Sequence, residues 1–293
     1  MRIWLNAARP RTLPAAIAPV FVGTAAAYAL VGDMRHWGAF AAALIASILI
    51  QIGTNLANDY SDARRGADSA DRLGPVRVTS AGLVTPRRVL IATWIAFGIA
   101  ALLGIYLAFV AGWIILVVGG FSIAAGVLYT GGPRPYGYAG LGEVFVFLFF
   151  GLVSVNGSYY VQLEELSWVS VGLSVAIGFL STAILVVNNT RDMDTDRRAK
   201  KNTLAVRIGR ERSRMLYLGL VYGAFVVLAL TISLNGGPWP ALLGLLALPM
   251  TIKPVKSMLT RTDGPSLNAA LAETGAALGI FSLLTAIGLV IGA

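Results

Sequence analysis

Residues 39–53 read AFAAALIASILIQIG, and residues 55–68 read NLANDYSDARRGAD. The first stretch is as apolar as a segment that crosses a lipid bilayer. The second stretch places three aspartates beside two arginines, directly at the end of that apolar segment. Polar side chains at such a position are costly unless they face a cavity or a partner, so they indicate function. The junction therefore predicts a membrane helix that delivers a polar site to one membrane surface.

The whole chain shares this apolar character. It has 293 residues, of which 57% are hydrophobic and only 13% are charged, and its mean hydropathy is +0.75. Because a soluble domain carries roughly 25% charged residues, we predict an all-α polytopic membrane protein that forms one domain over residues 1–293. The chain has no cysteine and one histidine, His36, which excludes disulfides, thiolate chemistry and multi-histidine metal sites.

Apolar runs of about 17–25 residues predict nine transmembrane helices. The predicted spans are 12–31, 37–56, 89–110, 112–130, 141–161, 168–189, 215–234, 239–256 and 267–292. With the N-terminus in the cytoplasm, every Lys and Arg except Arg35 falls in a cytoplasmic segment or at the cytoplasmic end of a span, as the positive-inside rule requires. We therefore expect the N-terminus inside, the C-terminus outside and a first span that is not a cleaved signal peptide. The net charge of +9 then follows from topology and does not indicate nucleic-acid binding.

Two long polar connections, 57–88 and 190–214, follow the second and sixth predicted spans. Loops of this length are usually functional or disordered, and these two are not low-complexity. Each opens with asparagine and spaced aspartates that share one helix face if the helix continues beyond the span. We name these two sets the first and second acidic ladders. The first ladder comprises Gln51, Asn55, either Asn58 or Asp59, and Asp62. The second ladder comprises Asn188, Asp192 and Asp196.

The oxygen donors of the two ladders suit Mg²⁺, which binds through one or two carboxylates together with substrate phosphates. We predict two Mg²⁺ ions, one for each ladder, with a diphosphate bridging them. Basic side chains nearby would neutralise the remaining phosphate charge. They are Arg64, Arg65, Arg191, Lys200 and Lys201. The alternative is that these charges only cap helices and solvate the inner loops.

A charged site at the mouth of a lipid-embedded cavity indicates a lipophilic substrate with an anionic head, such as a polyprenyl diphosphate. Loss of an allylic diphosphate leaves a carbocation, which aromatic faces stabilise. The connection YTGGPRPYGYAGLGE, residues 129–143, supplies Tyr129, Tyr136 and Tyr138 beside Arg134. We predict that Tyr136 and Tyr138 shield the cation or orient the acceptor; the alternative is an interfacial aromatic belt.

With these motifs the sequence resembles the UbiA-type intramembrane prenyltransferases, and most of all their 1,4-dihydroxy-2-naphthoate branch. The resemblance covers nearly the whole chain and rests on ARPRTLPAAIAPVFVGTA, NLANDYSDARRGAD, RVTSAGLVTPRRV, YTGGPRPYGYAGLGEVFVFLFFG and NNTRDMDTDRRAKKNTLAVRIG. It implies a ring-like helix bundle with a cytoplasmic cap from the two long inner loops. It also implies a bacterial plasma-membrane protein whose active site faces the cytoplasm.

The resemblance assigns metal ligands to both ladders: Asn58, Asp59, Asp62, Asp192 and Asp196. We expect the four aspartates and Tyr136 to be catalytic. The expected substrate-binding residues are Asn55, Arg64, Tyr129, Arg134, Tyr138, Asn188, Asn189, Arg191, Lys200 and Lys201. Of the two lysines, Lys201 is favoured as the phosphate ligand because it directly precedes NTLAVRIG. Where the family pattern often has a further aspartate this chain has Gly66, with Asp68 the nearest substitute.

The resemblance implies transfer of a polyprenyl group from an all-trans polyprenyl diphosphate to 1,4-dihydroxy-2-naphthoate. Diphosphate and CO₂ leave, and the product is demethylmenaquinol for menaquinone biosynthesis. Other acceptors stay open, among them 4-hydroxybenzoate, homogentisate, a tetrapyrrole and a sugar phosphate. A secondary transporter is a further alternative, although its coupling acids would lie near the bilayer midplane, where we expect only Glu273. The absence of a DGxxAR signature argues against a CDP-alcohol phosphotransferase.

Overall fold

The computed structural model describes residues 2–66, 73–74 and 77–293, and the regular structure in these residues is helical. Within the described chain, eight helical segments are long and apolar enough to cross a membrane. They are Pro14–Val31, Trp37–Arg64, Pro86–Ala111, Gly142–Leu163, Trp168–Arg198, Leu204–Asn235, Trp239–Thr260 and Gly264–Ile291. A shorter apolar helix of 15 residues, Ile114–Leu128, occupies the fourth predicted span. The prediction of an all-α polytopic membrane protein is confirmed.

The α-helices are numbered in chain order. Their bounds are α1 Arg2–Ala8, α2 Pro14–Val31, α3 Trp37–Arg64, α4 Pro86–Ala111, α5 Ile114–Leu128, α6 Gly142–Val146, α7 Ser154–Leu163, α8 Trp168–Arg198, α9 Leu204–Asn235, α10 Ile252–Thr260 and α11 Gly264–Ile291. A short 3₁₀ turn, Pro10–Thr12, joins α1 to α2.

Two membrane-spanning segments depart from α-helical geometry. Between α6 and α7 the chain forms a π segment, Phe147–Val153, and before α10 it forms a 3₁₀ segment, Trp239–Thr251. Pro249 lies inside the 3₁₀ segment, where it lacks the N–H that an α-helical hydrogen bond would need, and Pro240 lies in its first turn. Turns of π geometry occur often at functional sites, and this one forms part of a cavity wall.

The helices surround a cavity. On one side α2, α8, α9 and α11 pack around a buried apolar core that contains Leu180, Tyr217, Leu228 and Phe281. On the other side α3 packs against α4 and α5. Helix α2 contacts both α3 and α7, and α7 contacts α8, so these contacts close the ring between the two groups.

Glycines let the helices of the ring approach closely. A Cβ atom on Gly23 of α2 would lie 2.1 Å from the carbonyl oxygen of Val155 in α7. A Cβ atom on Gly151 of the π segment would lie 2.6 Å from the Cα atom of Gly178 in α8. Small residues serve this purpose in membranes because helices there associate through close packing. These two contacts fix α7 and the π segment, and with them one wall of the cavity.

The second inner connection differs in detail from its predicted form. Residues 190–214 are mostly helical, because α8 continues to Arg198 and α9 begins at Leu204, which leaves a turn at 199–203. Helix α3 likewise continues beyond its apolar run to Arg64. A helix satisfies its own backbone hydrogen bonds, so it can extend out of the lipid without new partners. Both acidic ladders therefore lie on rigid helix ends.

The contact between α2 and α7 gives a stability prediction. Gly23→Ala should force the two backbones apart and destabilise the protein by about 1–3 kcal/mol, the usual cost of overpacking. The matched control is Gly219→Ala in α9, where the added methyl group meets open space. Thermal unfolding of the purified protein in detergent measures both variants. Equal midpoints for Gly23→Ala and the wild-type protein would contradict the close approach.

Candidate active site

A cavity of about 690 Å³ lies inside the ring. Its apolar walls come from α3, α4, α5 and the π segment, and its polar end lies between the ends of α3 and α8. The cavity brings together eleven of the predicted site residues: Asn55, Asn58, Asp62, Tyr129, Tyr136, Tyr138, Asn188, Asn189, Asp192, Asp196 and Lys201. Both acidic ladders therefore face one space.

Asp62 accepts three side-chain hydrogen bonds at the polar end of the cavity. It is 1% exposed. Its Oδ2 atom accepts hydrogen bonds from Arg77 Nη2 at 2.8 Å and from Lys201 Nζ at 3.0 Å, and its Oδ1 atom accepts one from the Tyr138 hydroxyl at 2.6 Å. Lys201 Nζ also lies 4.9 Å from the centroid of the Tyr138 ring. A buried carboxylate requires such partners because burial of an unpaired charge is very costly.

Asp59 has a different environment from Asp62. Its two carboxylate oxygens accept hydrogen bonds from the backbone N–H groups of Val78 and Thr79, each at 2.9 Å. These bonds fix the chain directly after Arg77, and so they place Arg77 against Asp62. Asp59 is not among the residues that line the cavity. Its role as a metal ligand stays a prediction, whereas its contacts in the structure are with the loop.

Two amide side chains of the first ladder, Gln51 and Asn55, bind the turn between α1 and α2. Asn55 Nδ2 donates to the carbonyl oxygen of Ala8 at 3.1 Å and to Thr12 Oγ1 at 3.3 Å, and Gln51 Nε2 donates to Thr12 Oγ1 at 3.0 Å. Between Ala8 and Thr12, Arg9 adopts a left-handed conformation with φ 53° and lines the cavity. Few residues other than glycine adopt this conformation. The polar network thus holds a basic side chain at the cavity.

In the second ladder, Arg191 binds its neighbour Asp192. Its Nε and Nη2 atoms donate to the two carboxylate oxygens at 2.8 and 2.6 Å. Nη2 also donates to Asn188 Oδ1 at 2.9 Å, and Nη1 donates to Asn268 Oδ1 of α11 at 2.6 Å. Arg191 is buried and lies outside the cavity lining. Its contacts position Asp192 and Asn188, which both face the cavity.

The turn at 199–203 separates the roles of the two candidate lysines. Lys200 is exposed and takes a left-handed conformation with φ 57°, the conformation that commonly ends a helix. This reverses the chain, so that the N–H of Lys201 donates to the carbonyl oxygen of Asp196 at 2.8 Å. The Lys201 side chain then points into the cavity. Arg64 and Arg134, like Lys200, are exposed and lie outside the cavity lining.

Aromatic side chains form the wall beside the polar end. Tyr136 stacks on Phe145 with 3.9 Å between ring centroids, and it meets Tyr129 edge to face at 5.4 Å. Burial raises the pKa of both tyrosines above the ordinary range, and the nearby Glu143 and Asp196 carboxylates raise the pKa of Tyr129 further. Both hydroxyls are therefore neutral at physiological pH. The Tyr136 hydroxyl donates to the carbonyl oxygen of Ala125 at 2.8 Å, and both tyrosines line the cavity.

The sequence alone does not identify Arg77 as the partner of Asp62. It also does not identify Thr130, whose hydroxyl donates to Asn58 Oδ1 at 2.9 Å. Arg77 stands in the motif RVTSAGLVTPRRV, but spacing alone does not show where a loop residue folds back. The alternative ligand Asp68 lies outside the described residues.

The donor set at the polar end fits a hard divalent cation. Asn58, Asp62, Asp192 and Asp196 all offer oxygen to one cavity. An ionised carboxylate has about four lone-pair positions, so the bonds already made to Asp62 and Asp192 leave room for a cation. Across the described chain, no three acidic or histidine side chains are close enough to hold a metal ion by themselves. A cation here would share its ligands with a substrate, which is the usual mode for Mg²⁺.

Known proteins are similar to this chain in sequence and in fold. The model of the UbiA prenyltransferase family matches residues 16–281. A Mycobacterium tuberculosis protein named 1,4-dihydroxy-2-naphthoate octaprenyltransferase is 44% identical, with 99% of this chain and 97% of that protein covered. The Escherichia coli protein of the same name is 38% identical, with 98% and 94% covered. A UbiA homolog from Archaeoglobus fulgidus, solved bound to GPP and Mg²⁺, has a TM-score of 0.72 at 14% identity, with 99% of each chain covered. The chain belongs to the UbiA prenyltransferase family.

Proposed function

We propose that the protein transfers a polyprenyl group from an all-trans polyprenyl diphosphate to 1,4-dihydroxy-2-naphthoate. Diphosphate and CO₂ are released, and the product is demethylmenaquinol for menaquinone biosynthesis. The observation that carries this proposal is one cavity with two acidic ladders at its polar end and apolar walls elsewhere. Such a cavity suits an anionic head with an isoprenoid tail. The relatives named 1,4-dihydroxy-2-naphthoate octaprenyltransferase support the choice of acceptor.

The diphosphate is proposed to bind at the polar end together with Mg²⁺. Asn58 and Asp62 of the first ladder and Asp192 and Asp196 of the second would hold the metal, with one ion for each ladder. When bound, Mg²⁺ neutralises the diphosphate and stabilises it as a leaving group. Two structural neighbours solved with Mg²⁺ and a prenyl diphosphate support this assignment.

Cationic side chains of the protein complete the diphosphate site. Lys201 Nζ and Arg77 Nη2 both lie against Asp62 at the polar end of the cavity. Hydrogen bonds from such groups to phosphate oxygens are about twice as strong as bonds between neutral groups. Asp62 keeps both donors in place, so in this proposal it orients the phosphate-binding cations as well as contributing to the metal site.

Cleavage of the bond between C1 and the diphosphate oxygen leaves an allylic cation next to the aromatic wall. The neutral faces of Tyr136 and Tyr129 stabilise a cation by about 0.5–2 kcal/mol each, and Phe145 helps to exclude water. C1 then bonds to the ring carbon that carries the carboxylate. Breakage of the bond to CO₂ returns an electron pair to the ring and restores aromaticity, so this step needs no strong protein base.

We propose that the polar end faces the cytoplasm of a bacterial cell, with the N-terminus inside and the C-terminus outside. The positive-inside rule supports this orientation, because every Lys and Arg except Arg35 falls in a predicted segment on that side or at the end of a span that faces it. The diphosphate would then enter and leave on the side where soluble substrates are made.

The decisive experiment supplies the purified protein with Mg²⁺, farnesyl diphosphate and one acceptor at a time. We expect a prenylated, decarboxylated product from 1,4-dihydroxy-2-naphthoate, identified by mass spectrometry. The comparison acceptors are 4-hydroxybenzoate and homogentisate. Turnover with one of these and none with the naphthoate would overturn the proposed acceptor and leave prenyl transfer intact.

Asp62→Ala should lower prenyl transfer by about 10²-fold or more, since it removes a metal ligand and the buried carboxylate to which Arg77 and Lys201 donate. It should also abolish the rise in thermal midpoint that Mg²⁺ and diphosphate together give the wild-type protein. The matched control is Asp194→Ala. Asp194 lies at the same end of α8 as Asp192 and Asp196, but it is exposed and pairs with Arg210 at the surface. If both variants retain activity and the thermal shift, the metal site lies elsewhere.

Lys201→Gln and Lys200→Gln should differ sharply. Lys201 reaches the cavity, so its loss should raise the KM for the prenyl diphosphate and lower kcat, together by about 10²-fold in kcat/KM. Lys200 is exposed, and its replacement should change kcat/KM by less than about twofold. Steady-state kinetics with varied farnesyl diphosphate makes the comparison. Equal losses of kcat/KM in the two variants would contradict the placement of Lys201, but not Lys200, in the cavity.

A further inference from the structure

Glu143 and Asn189 form a buried pair that the mechanism above does not use. Glu143 lies in α6 and is 5% exposed. Its Oε1 atom accepts a hydrogen bond from Asn189 Nδ2 at 2.9 Å. The other carboxylate oxygen, Oε2, is buried and has no hydrogen-bond partner in the described part of the chain. Burial of a carboxylate is costly when only one of its two oxygens accepts a hydrogen bond. The pair therefore indicates a function.

The pair fixes the orientation of the Asn189 amide. A carboxylate only accepts hydrogen bonds, whereas an amide has one donating and one accepting side. Because Glu143 binds the nitrogen of Asn189, the Oδ1 atom of Asn189 must point away from Glu143. Asn189 lines the cavity from α8. The Oδ1 atom is then the acceptor that Asn189 can offer to a ligand in the cavity, and the amide would be free to turn without Glu143.

Asn189 lies at the level where the acceptor must bind. It precedes Asp192 by three residues, which places it about 4.5 Å farther along α8 from the cytoplasmic end, on nearly the same face. The diphosphate is proposed to lie at the level of Asp192, so the reacting C1 atom lies just beyond it. An accepting oxygen repels phosphate and carboxylate oxygens but suits a hydroxyl donor, and the acceptor ring carries hydroxyls.

We propose that Glu143 is a positioning residue that fixes Asn189, and that Asn189 Oδ1 accepts the hydrogen bond of a ring hydroxyl on the aromatic acceptor. This inference rests on the proposed function and deepens it by naming a contact for the acceptor. It also predicts specificity for hydroxylated rings. A ring without that hydroxyl would leave the buried Asn189 oxygen unpaired, and sites of this kind reject such analogues strongly.

A double-mutant cycle tests whether Glu143 acts through Asn189. Glu143→Leu and Asn189→Leu should each raise the KM for 1,4-dihydroxy-2-naphthoate by about tenfold. The first change frees the Asn189 amide to turn, and the second removes its accepting oxygen. The KM for farnesyl diphosphate should change by less than about twofold. In the Asn189→Leu background, Glu143→Leu should add no further increase. Glu143→Gln keeps a carbonyl that can accept from Asn189, so its KM for the naphthoate should stay within about threefold of wild type.

The ring hydroxyl is tested with two competitive inhibitors, 1-hydroxy-2-naphthoate and 4-hydroxy-2-naphthoate, each of which lacks one hydroxyl. The analogue without the contacted hydroxyl should bind the wild-type protein about tenfold more weakly than the other analogue. In Asn189→Leu the two analogues should bind within about twofold of each other. An equal difference in the wild-type and variant proteins would overturn the assignment to Asn189.

Control measurements separate this role from a structural one. Asn156→Leu removes an amide that bonds Ser170 and the carbonyl oxygen of Leu152 outside the cavity. It should lower the thermal midpoint and leave the acceptor KM unchanged.

The proposal fails if Glu143→Gln behaves like Glu143→Leu, if the cycle is additive, or if the variants shift the Mg²⁺ half-saturation instead. If the wild-type protein does not prenylate the naphthoate, the proposed function fails, and the cycle is repeated with the hydroxylated acceptor that it does use.

Discussion

The site depends on the neutralisation of one buried carboxylate, Asp62. Arg77, Tyr138 and Lys201 reach it from three different connections of the chain, 15, 76 and 139 residues away in sequence. Since an unpaired charge at the end of an apolar bundle is too costly to bury, these three segments must converge for the bundle to close. That convergence also places two cations next to the space where the metal ligands meet, so one electrostatic requirement organises both structure and chemistry.

The architecture could be predicted from the sequence because its signals are local. Length and hydropathy define each span, and the apolar runs correspond to the helices, including the short α5. The four-residue spacing of Asn188, Asp192 and Asp196 indicated a shared helix face, and the structure places all three at the cavity. Lipid makes these signals strong, because a chain inside it must form regular helices to satisfy its backbone.

The side-chain partners could not be predicted, because they depend on the path of the connections. Nothing in the local sequence distinguishes the exposed Arg134 from the buried Arg77. Arg77 reaches Asp62 because Asp59 binds the backbone directly after it. A single left-handed residue, Lys200, decides which of two adjacent lysines enters the cavity. Conformations of this kind are set by tertiary contacts, so they appear only once the neighbouring helices are in place.

The position of Lys201 in the chain also has a consequence for biogenesis. It follows the sixth membrane-spanning segment, if α5 is counted, and 139 residues separate it from Asp62. At the usual rate of about 5–20 residues per second, a ribosome needs about 7–28 s to make that stretch. During this interval Asp62 lacks one of its counter-ions, and hydration is the cheapest substitute. The polar end of the cavity in the nascent protein therefore has to stay hydrated until the segment with Lys201 has been made.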